Sequence, residues 1–274
     1  MTGRRLTKSA SALLFVVFIF AGCTRERSPG GPLTRGLLAL AREAAAEGLA
    51  PAPPDERVTL EQLGDLARDV RVESRRGGHP VDALNRVVFE RRGFKRDVQD
   101  LSLGSVLLPR VLARRRGSCV GLAALYLALG ERLGLPLDAV LVPGHLFVRH
   151  AVGRGVELLK RGREMPERWY RERYRVPDRS PLYLRRLEPR ETLAVYRYNL
   201  ANALRDRRRP RGALVHYRRV VAVLPDFAEA RANLGLTLQQ LGRTEQARRA
   251  YLRARAANPR LPGIERNLEA LGPE

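Results

Sequence analysis

The sequence predicts an α+β domain followed by an all-α repeat solenoid, and three observations carry that prediction. An apolar run with helical spacing, Val120 to Leu133, gives way at Gly134-Leu135-Pro136 to three strand-like segments, Ala139 to Val142, His145 to Val152 and Val156 to Leu159. From about Glu188 the pattern is helical, and residues return at an interval of 34: Leu200, Ala213, Tyr217 and Pro225 come back as Leu234, Ala247, Tyr251 and Pro259, while Asn199, Asn233 and Asn267 keep the same step. A length of 274 residues, 44% of them hydrophobic, leaves room for one or two domains and excludes a fully disordered chain. The single long apolar run, at the N-terminus, excludes a polytopic membrane protein.

Taken in order, the chain opens with an address. Arg4, Arg5 and Lys8 form a basic region, and Ala10 to Phe20 is an apolar run of 11 residues. That run is too short to span ~30 Å of hydrocarbon but suits a signal peptide. Phe20-Ala21-Gly22-Cys23 resembles a lipobox, although Phe20 stands where Leu is usual. The resemblance implies removal of residues 1–22 and lipidation of Cys23 as the mature N-terminus. The alternative is an ordinary secretory peptide cut near Gly22; either reading exports the protein. By the same resemblance, Thr24 in place of Asp favours anchoring in the outer membrane, facing the periplasm.

Residues 23–35 are polar and rich in Pro and Gly and read as a tether. A helix pattern covers Leu37 to Leu49 and stops at Pro51-Ala52-Pro53-Pro54. Thr59 and Gln62 have capping-box spacing for a helix from Leu60 to Val70. A further helix, Val81 to Arg91, ends at Gly93-Phe94, and Ser105 to Ala113 is helix-like with Pro109 as an interruption. The first domain is expected over 36–188 and the repeat region over 189–274. The 34-residue period resembles the tetratricopeptide repeat, with repeats at about 194–227 and 228–261 and a capping helix at 262–272. Small residues Ala201 and Gly235 mark close helix packing. Two repeats and a cap are near the minimum for a stable solenoid, so the first domain is expected to cover its open end.

Lys plus Arg number 51 against 29 Asp plus Glu, a net charge of +22, and only Lys8, Lys95 and Lys160 are lysines. The basic residues are spread along the chain, and an exported protein rarely meets nucleic acid, so no nucleic-acid partner is expected. Anionic lipid headgroups fit the charge better; a solvated, arginine-rich surface fits it as well. With two cysteines, one of them Cys23, a disulfide scaffold is excluded. No zinc spacing, phosphate loop or dinucleotide fingerprint occurs, and neither metal nor cofactor is expected.

Cys119 is the residue with chemistry to offer. Gly117 breaks the chain and Ser118 is a candidate N-cap, which puts Cys119 in the first turn of a buried helix. A helix N-terminus lowers a thiol pKa through its dipole and free N–H groups. Arg114, Arg115 and Arg116 are expected to push the same way. His145 follows on a strand and can serve as base and proton donor. Glu157, on the next strand beyond Gly153-Arg154-Gly155, is within reach of His145 if the two strands are antiparallel. The competing reading of Cys119 is a small buried hydrophobe.

An ordered series now stands out: Ala83-Leu84-Asn85 with Phe89, Gly93-Phe94, Gly117-Ser118-Cys119-Val120, Leu125-Tyr126, Leu133-Gly134-Leu135-Pro136 and Pro143-Gly144-His145-Leu146-Phe147-Val148-Arg149. It resembles the transglutaminase-like superfamily over about residues 36–188. The resemblance implies a papain-like α+β fold, here a transglutaminase-core domain followed by an all-α tetratricopeptide-repeat solenoid. It implies Cys119 as nucleophile and His145 as base for acyl transfer from amides. Glu157 stands where the family has Asp, one methylene longer, and some members of this branch lack the cysteine.

Other candidates are weaker. His150 has strand parity opposite to His145, a poor arrangement for a metal pair. His79 precedes a proline in a turn, and His216 lies on a repeat helix, expected on its solvated face. Asn85 reads as packing or as a hydrogen-bonding neighbour of the site. Trp169, Tyr170 and Tyr174 either line a groove or pack an extension onto the domain. Two functions are therefore expected to compete. One is a membrane-anchored envelope lipoprotein whose thiol site performs amide acyl transfer or, more naturally in water, hydrolysis, with repeats that bind a peptide or protein partner. The other is a non-catalytic envelope scaffold that uses the repeats alone. A purely electrostatic surface binder is a distant third.

Overall fold

The computed structural model describes residues 30–97, 99–100, 102–150, 155–158 and 161–272. The residues read as a signal peptide, 1–22, and the candidate lipidation site Cys23 lie outside the described residues. No described helix is long and apolar enough to cross a membrane.

The first domain is built around one helix. α1 runs from Pro32 to Ala46, α2 from Glu56 to Ser74, α3 from Pro80 to Asn85, and α3 continues as a wider-wound π turn over Arg86–Arg91. Strand β1 (Lys95–Arg96) pairs in parallel with β2 (Arg116–Gly117), and α4 (Leu108–Arg114) lies between them in the chain. α5 then spans Cys119–Leu133, with Ser118 accepting the Gly121 N–H at 3.3 Å and Gly134 ending it at φ +71°. It is apolar on nearly every side: Leu122, Ala123, Leu125, Tyr126 and Leu129 are all fully buried. Such a helix has to be covered all round. One face meets β3 (Leu137–Val142) and β4 (His145–His150), another α1, α2 and α4.

The sheet has the order β6-β5-β4-β3-β7, adding β5 (Gly155–Glu157), β6 (Arg163–Met165) and β7 (Arg186–Leu187), with every pairing antiparallel. β3 and β4 are joined by the two residues Pro143-Gly144, and Gly144 takes φ +69°. Pro followed by a positive-φ Gly is the pairing a type II turn favours. A short helix, α6 (Glu167–Arg173), packs after β6.

The repeat region is α7 (Pro189–Asp206), α8 (Pro210–Val223), α9 (Ala228–Gln240), α10 (Thr244–Ala257) and the short α11 (Ile264–Glu269). Gly235 is there because a Cβ would come within 2.6 Å of the Tyr251 ring. An inner network, Tyr217 to Asn202 at 2.6 Å and Asn233 to Asn202 at 3.0 Å, ties successive helices. The open end is covered by α1, with Gly36 lying against Leu193, and a single hydrophobic core runs from Leu33 to Ile264.

Several local expectations are corrected. α1 begins at Pro32, inside the stretch read as tether, because Glu131 of α5 accepts the Leu33 and Thr34 N–H groups at 3.0 and 2.9 Å. α2 is capped by Asp55, whose side chain accepts from Arg57 N–H at 2.8 Å; Thr59 lies in the helix and is buried. Pro109 lies in the first turn of α4 rather than interrupting it, as its missing N–H permits.

Candidate active site

Cys119 opens α5, and the loop before it is anchored twice to one carbonyl: Ser118 N–H and Oγ donate to Ser105 O at 2.8 and 3.1 Å. His145 opens β4, one residue after the turn. Its Nε2 lies 2.9 Å from Glu157 Oε2, and the two side chains are 3% and 1% exposed. The thiol of Cys119 interacts with the same imidazole. The structure brings Cys119, His145 and Glu157 together, with the ring between thiol and carboxylate.

The register explains the glutamate. β4 and β5 pair with Val148 opposite Val156. Continued by one residue, that register sets Glu157 opposite Phe147, so Glu157 and His145 are diagonal neighbours on one face. Diagonal positions are ~7–8 Å apart, a gap that the longer carboxylate side chain reaches across.

Electrostatics follow the geometry. Burial pushes the Cys119 thiol up, but the hydrogen bond and charge of His145, with the Leu146 and Val120 N–H groups, outweigh it and hold the pKa below the ordinary value. Burial pulls His145 down, yet its hydrogen bonds to Cys119 and Glu157 lift it to about 9. Both shifts favour a thiolate beside an imidazolium. The upstream arginines are not the cause, which corrects the expectation: Arg114 is tied to Asp100 at 2.6 Å, Arg116 to Asp97 at 3.4 Å, and Arg115 reaches Arg92 O at 3.4 Å.

Aromatic rings flank the imidazole. Tyr174 stacks on it at 4.6 Å with planes 5° apart, and Phe147 lies beyond at 6.5 Å. Tyr170 stacks on Phe147 at 3.7 Å, and Trp169 meets Tyr174 edge-on at 6.1 Å. Of the aromatic cluster, Tyr174 faces the site, whereas Tyr170 is fully buried behind it. Asn85 forms a polar link behind α5, accepting from Tyr126 O–H at 2.6 Å and donating to Gly162 O at 3.0 Å. His150 leaves the site and packs edge-on against His79 at 4.8 Å, with His79 capping α3.

His216 is not on a solvated face. It is 2% exposed, with Nε2 2.7 Å from Glu47 and Nδ1 3.1 Å from Arg197. Its environment comes from α1, which helix periodicity within the repeats cannot report. Glu43, Glu47 and His216 hold ligand atoms within 4.8 Å of one another, but Arg197 occupies the cluster, bidentate on Glu43 at 2.8 and 2.9 Å. That donor set is an arginine-centred ion pair and does not fit a cation. Sequence reasoning also passed over Tyr196 and Glu229, both of which reach from the repeat helices into the first domain.

Comparison with known proteins agrees with the architecture. The profile described as the transglutaminase-like superfamily matches residues 57–194, and one described as the tetratricopeptide repeat matches 204–262. The "UPF0162 protein" of Xylella fastidiosa strain 9a5c is 30% identical over 178 residues, which is 61% of this chain and 63% of that protein. Its counterpart from strain Temecula1 is 29% identical over 172 residues, 58% of this chain and 61% of the relative. The chain therefore matches less than two thirds of the length of these relatives. "F-box only protein 21" of Mus musculus is 32% identical over 74 residues, 27% of this chain and 12% of that protein. The superfamily match covers half of the chain and contains Cys119, His145 and Glu157, and the chain belongs to the transglutaminase-like superfamily.

Proposed function

We propose that Cys119, His145 and Glu157 form a thiol acyl-transfer site that acts on amides, with hydrolysis as its outcome, and that the repeats bind a peptide or protein partner. The observation that carries the reading is the buried imidazole held between a thiol at a helix start and a carboxylate 2.9 Å from its Nε2. The Cys119 thiolate attacks the amide carbonyl while the free N–H groups at the start of α5 face the developing oxyanion. His145 gives its proton to the leaving amine, and the thioester remains on Sγ. Water then attacks the thioester with His145 taking its proton, and the acid and the thiol are released. Glu157 holds the ring in the orientation that both steps need. The partner role of the repeats follows from the general use of tetratricopeptide solenoids as protein-binding surfaces.

Location is part of the proposal. Lipidation at Cys23 would anchor the protein to the cell envelope, in the outer membrane facing the periplasm, and would place the thiol near envelope peptides. Mass spectrometry of the mature N-terminus tests this: a lipidated Cys23 supports it, and an unmodified N-terminus cut elsewhere overturns it.

The thiol reading is tested by the alkylation rate of Cys119 against pH, on chain lacking residues 1–23, beside His145→Ala. The expected midpoint lies below the ~8.5 of a free cysteine and rises in the variant. A thiol that reacts only in denaturant, or is indifferent to His145, overturns the enzyme reading.

A further inference from the structure

The proposed reaction requires Cys119 and His145 to be held at one separation, although they sit on different elements, the first turn of α5 and the first residue of β4. Helices of the repeat region touch both. Tyr196 in α7, 2% exposed, donates its O–H to the Val120 carbonyl at 2.9 Å, one residue after Cys119. Glu229, in the first turn of α9, accepts the Gly144 N–H on Oε1 at 2.9 Å and the Tyr183 O–H on Oε2 at 2.6 Å. Gly144 directly precedes His145.

The turn offers this partner a free amide. In a two-residue type II connection, the amide of the second turn residue points away from the hairpin and takes no part in its ladder. Such an amide takes its acceptor from outside the hairpin, and here that acceptor is a carboxylate rather than solvent. The Glu229 carboxylate supplies the acceptor from 85 residues along the chain, and its other oxygen is fixed by Tyr183 in the segment whose Leu184 N–H bonds Leu141 O of β3 at 2.9 Å. One carboxylate thus clamps the Pro143-Gly144 turn between the sheet and α9.

We propose that the repeat region is an integral part of the thiol site, with Glu229 as a positioning residue that fixes the turn bearing His145 while Tyr196 braces the first turn of the helix bearing Cys119. The inference rests on the thiol reading above. It also gives the repeats a second role: a ligand that shifts α9 against the sheet moves the residue before the imidazole.

The test uses the chain lacking only residues 1–23 and compares wild type, Glu229→Ala and Glu229→Gln. Glutamine keeps a carbonyl oxygen for Gly144. In Glu229→Ala the alkylation rate of Cys119 at pH 7 is expected to fall about tenfold, since small displacements of reacting groups are costly, with the pH midpoint moving toward that of a free thiol; Glu229→Gln is expected to stay near wild type. An unchanged pH profile in a folded Glu229→Ala overturns the proposal, as does a loss of rate that only tracks the unfolded fraction seen by circular dichroism. Should Glu229→Ala fail to fold, Glu229→Asp, which keeps the charge but shortens the reach, carries the same expectation. The His145 ring titration, followed by NMR in the same variants, separates this inference from the reading it rests on. If the wild-type thiol is inert the acyl-transfer reading falls, but a His145 titration moved in Glu229→Ala still supports the positioning role, and one left unmoved overturns it.

Discussion

Two histidines of this protein have nearly the same surroundings and different roles. His145 and His216 are both almost fully buried, and each sets Nε2 within 3 Å of a glutamate, 2.9 Å to Glu157 and 2.7 Å to Glu47. What differs is the other side of the ring. At His145 it meets the Cys119 thiol at the start of a helix. At His216 it accepts from Arg197, which is itself bidentate on Glu43. In the first case a proton has somewhere to go; in the second both ring nitrogens are already used, and the cluster joins α1 to the repeats. A buried His–Glu pair is therefore no sign of catalysis until the second nitrogen is accounted for.

The sharpest way to break this contrast is to remove the thiol. Cys119→Ala is expected to abolish acyl transfer, by about 10⁴-fold or more, while the protein stays folded because alanine fits a helix first turn. The same variant should lower the His145 pKa from about 9, since the hydrogen bond and charge of Cys119 help to raise it. NMR titration of the ring reads that fall. A turnover that survives the variant would remove Cys119 from the reaction.

Glu157→Gln acts one step further out. Glutamine still accepts from the imidazole but carries no charge, so the His145 pKa falls toward 6.5. The sign of the consequence is definite. His145 has to be protonated to serve the leaving amine, so turnover in wild type declines as pH rises through about 9, and in Glu157→Gln the decline begins at lower pH. Alkylation behaves differently at high pH, since it needs only the thiolate and persists where turnover is lost. Parallel pH profiles of the two rates check this, and coincident alkaline limbs would contradict it.

Much of this centre can be read along the chain because its determinants are local. Ser118 caps the helix that Cys119 opens, Gly144 makes the turn before His145, and strand order brings Glu157 alongside. The 34-residue step does the same for the repeats, since each helix pair repeats one packing problem. What stays hidden comes from residues far apart in sequence. The α1 start depends on Glu131, 97 and 98 residues away from the amides it caps. The burial of His216 depends on Glu47, 169 residues away, and the clamp on Gly144 depends on Glu229. Thr59 misled for a related reason: its spacing suits a cap, but Asp55 stands earlier and accepts the Arg57 amide in the first turn. The arginines before Cys119 misled because sequence proximity says nothing of direction, and Asp97 and Asp100 turn two of them aside.

The second histidine supplies the matching control. His216→Ala leaves Glu47 without its partner and Arg197 without one acceptor, a cost of about 2 kcal/mol for hydrogen bonds to charged groups. Denaturant unfolding should register that loss as a lower midpoint. The pH profile of Cys119 alkylation in the folded protein should not change, because the α1–repeat junction does not touch the thiol. A shifted profile would mean that the two histidines are coupled through the repeats, and the contrast between a reactive and a structural pair would need revision.

The smallest expected effect concerns the ring over the site. Tyr174 covers one face of His145 at 4.6 Å with the planes 5° apart; it is half-buried, and the Arg173 guanidinium lies over its ring at 5.9 Å from the centroid. A π-face beside an imidazolium favours the charged form, by about 0.5–1 kcal/mol at a partly exposed position. Tyr174→Phe retains the face and should leave the His145 titration in place, whereas Tyr174→Leu removes it and should lower the pKa by less than one unit, as 1.36 kcal/mol corresponds to one unit. The two variants separate stacking from the hydroxyl: equal shifts in both would assign the effect to the Tyr174 O–H instead, and no shift in either would leave the imidazolium to Glu157 and Cys119 alone.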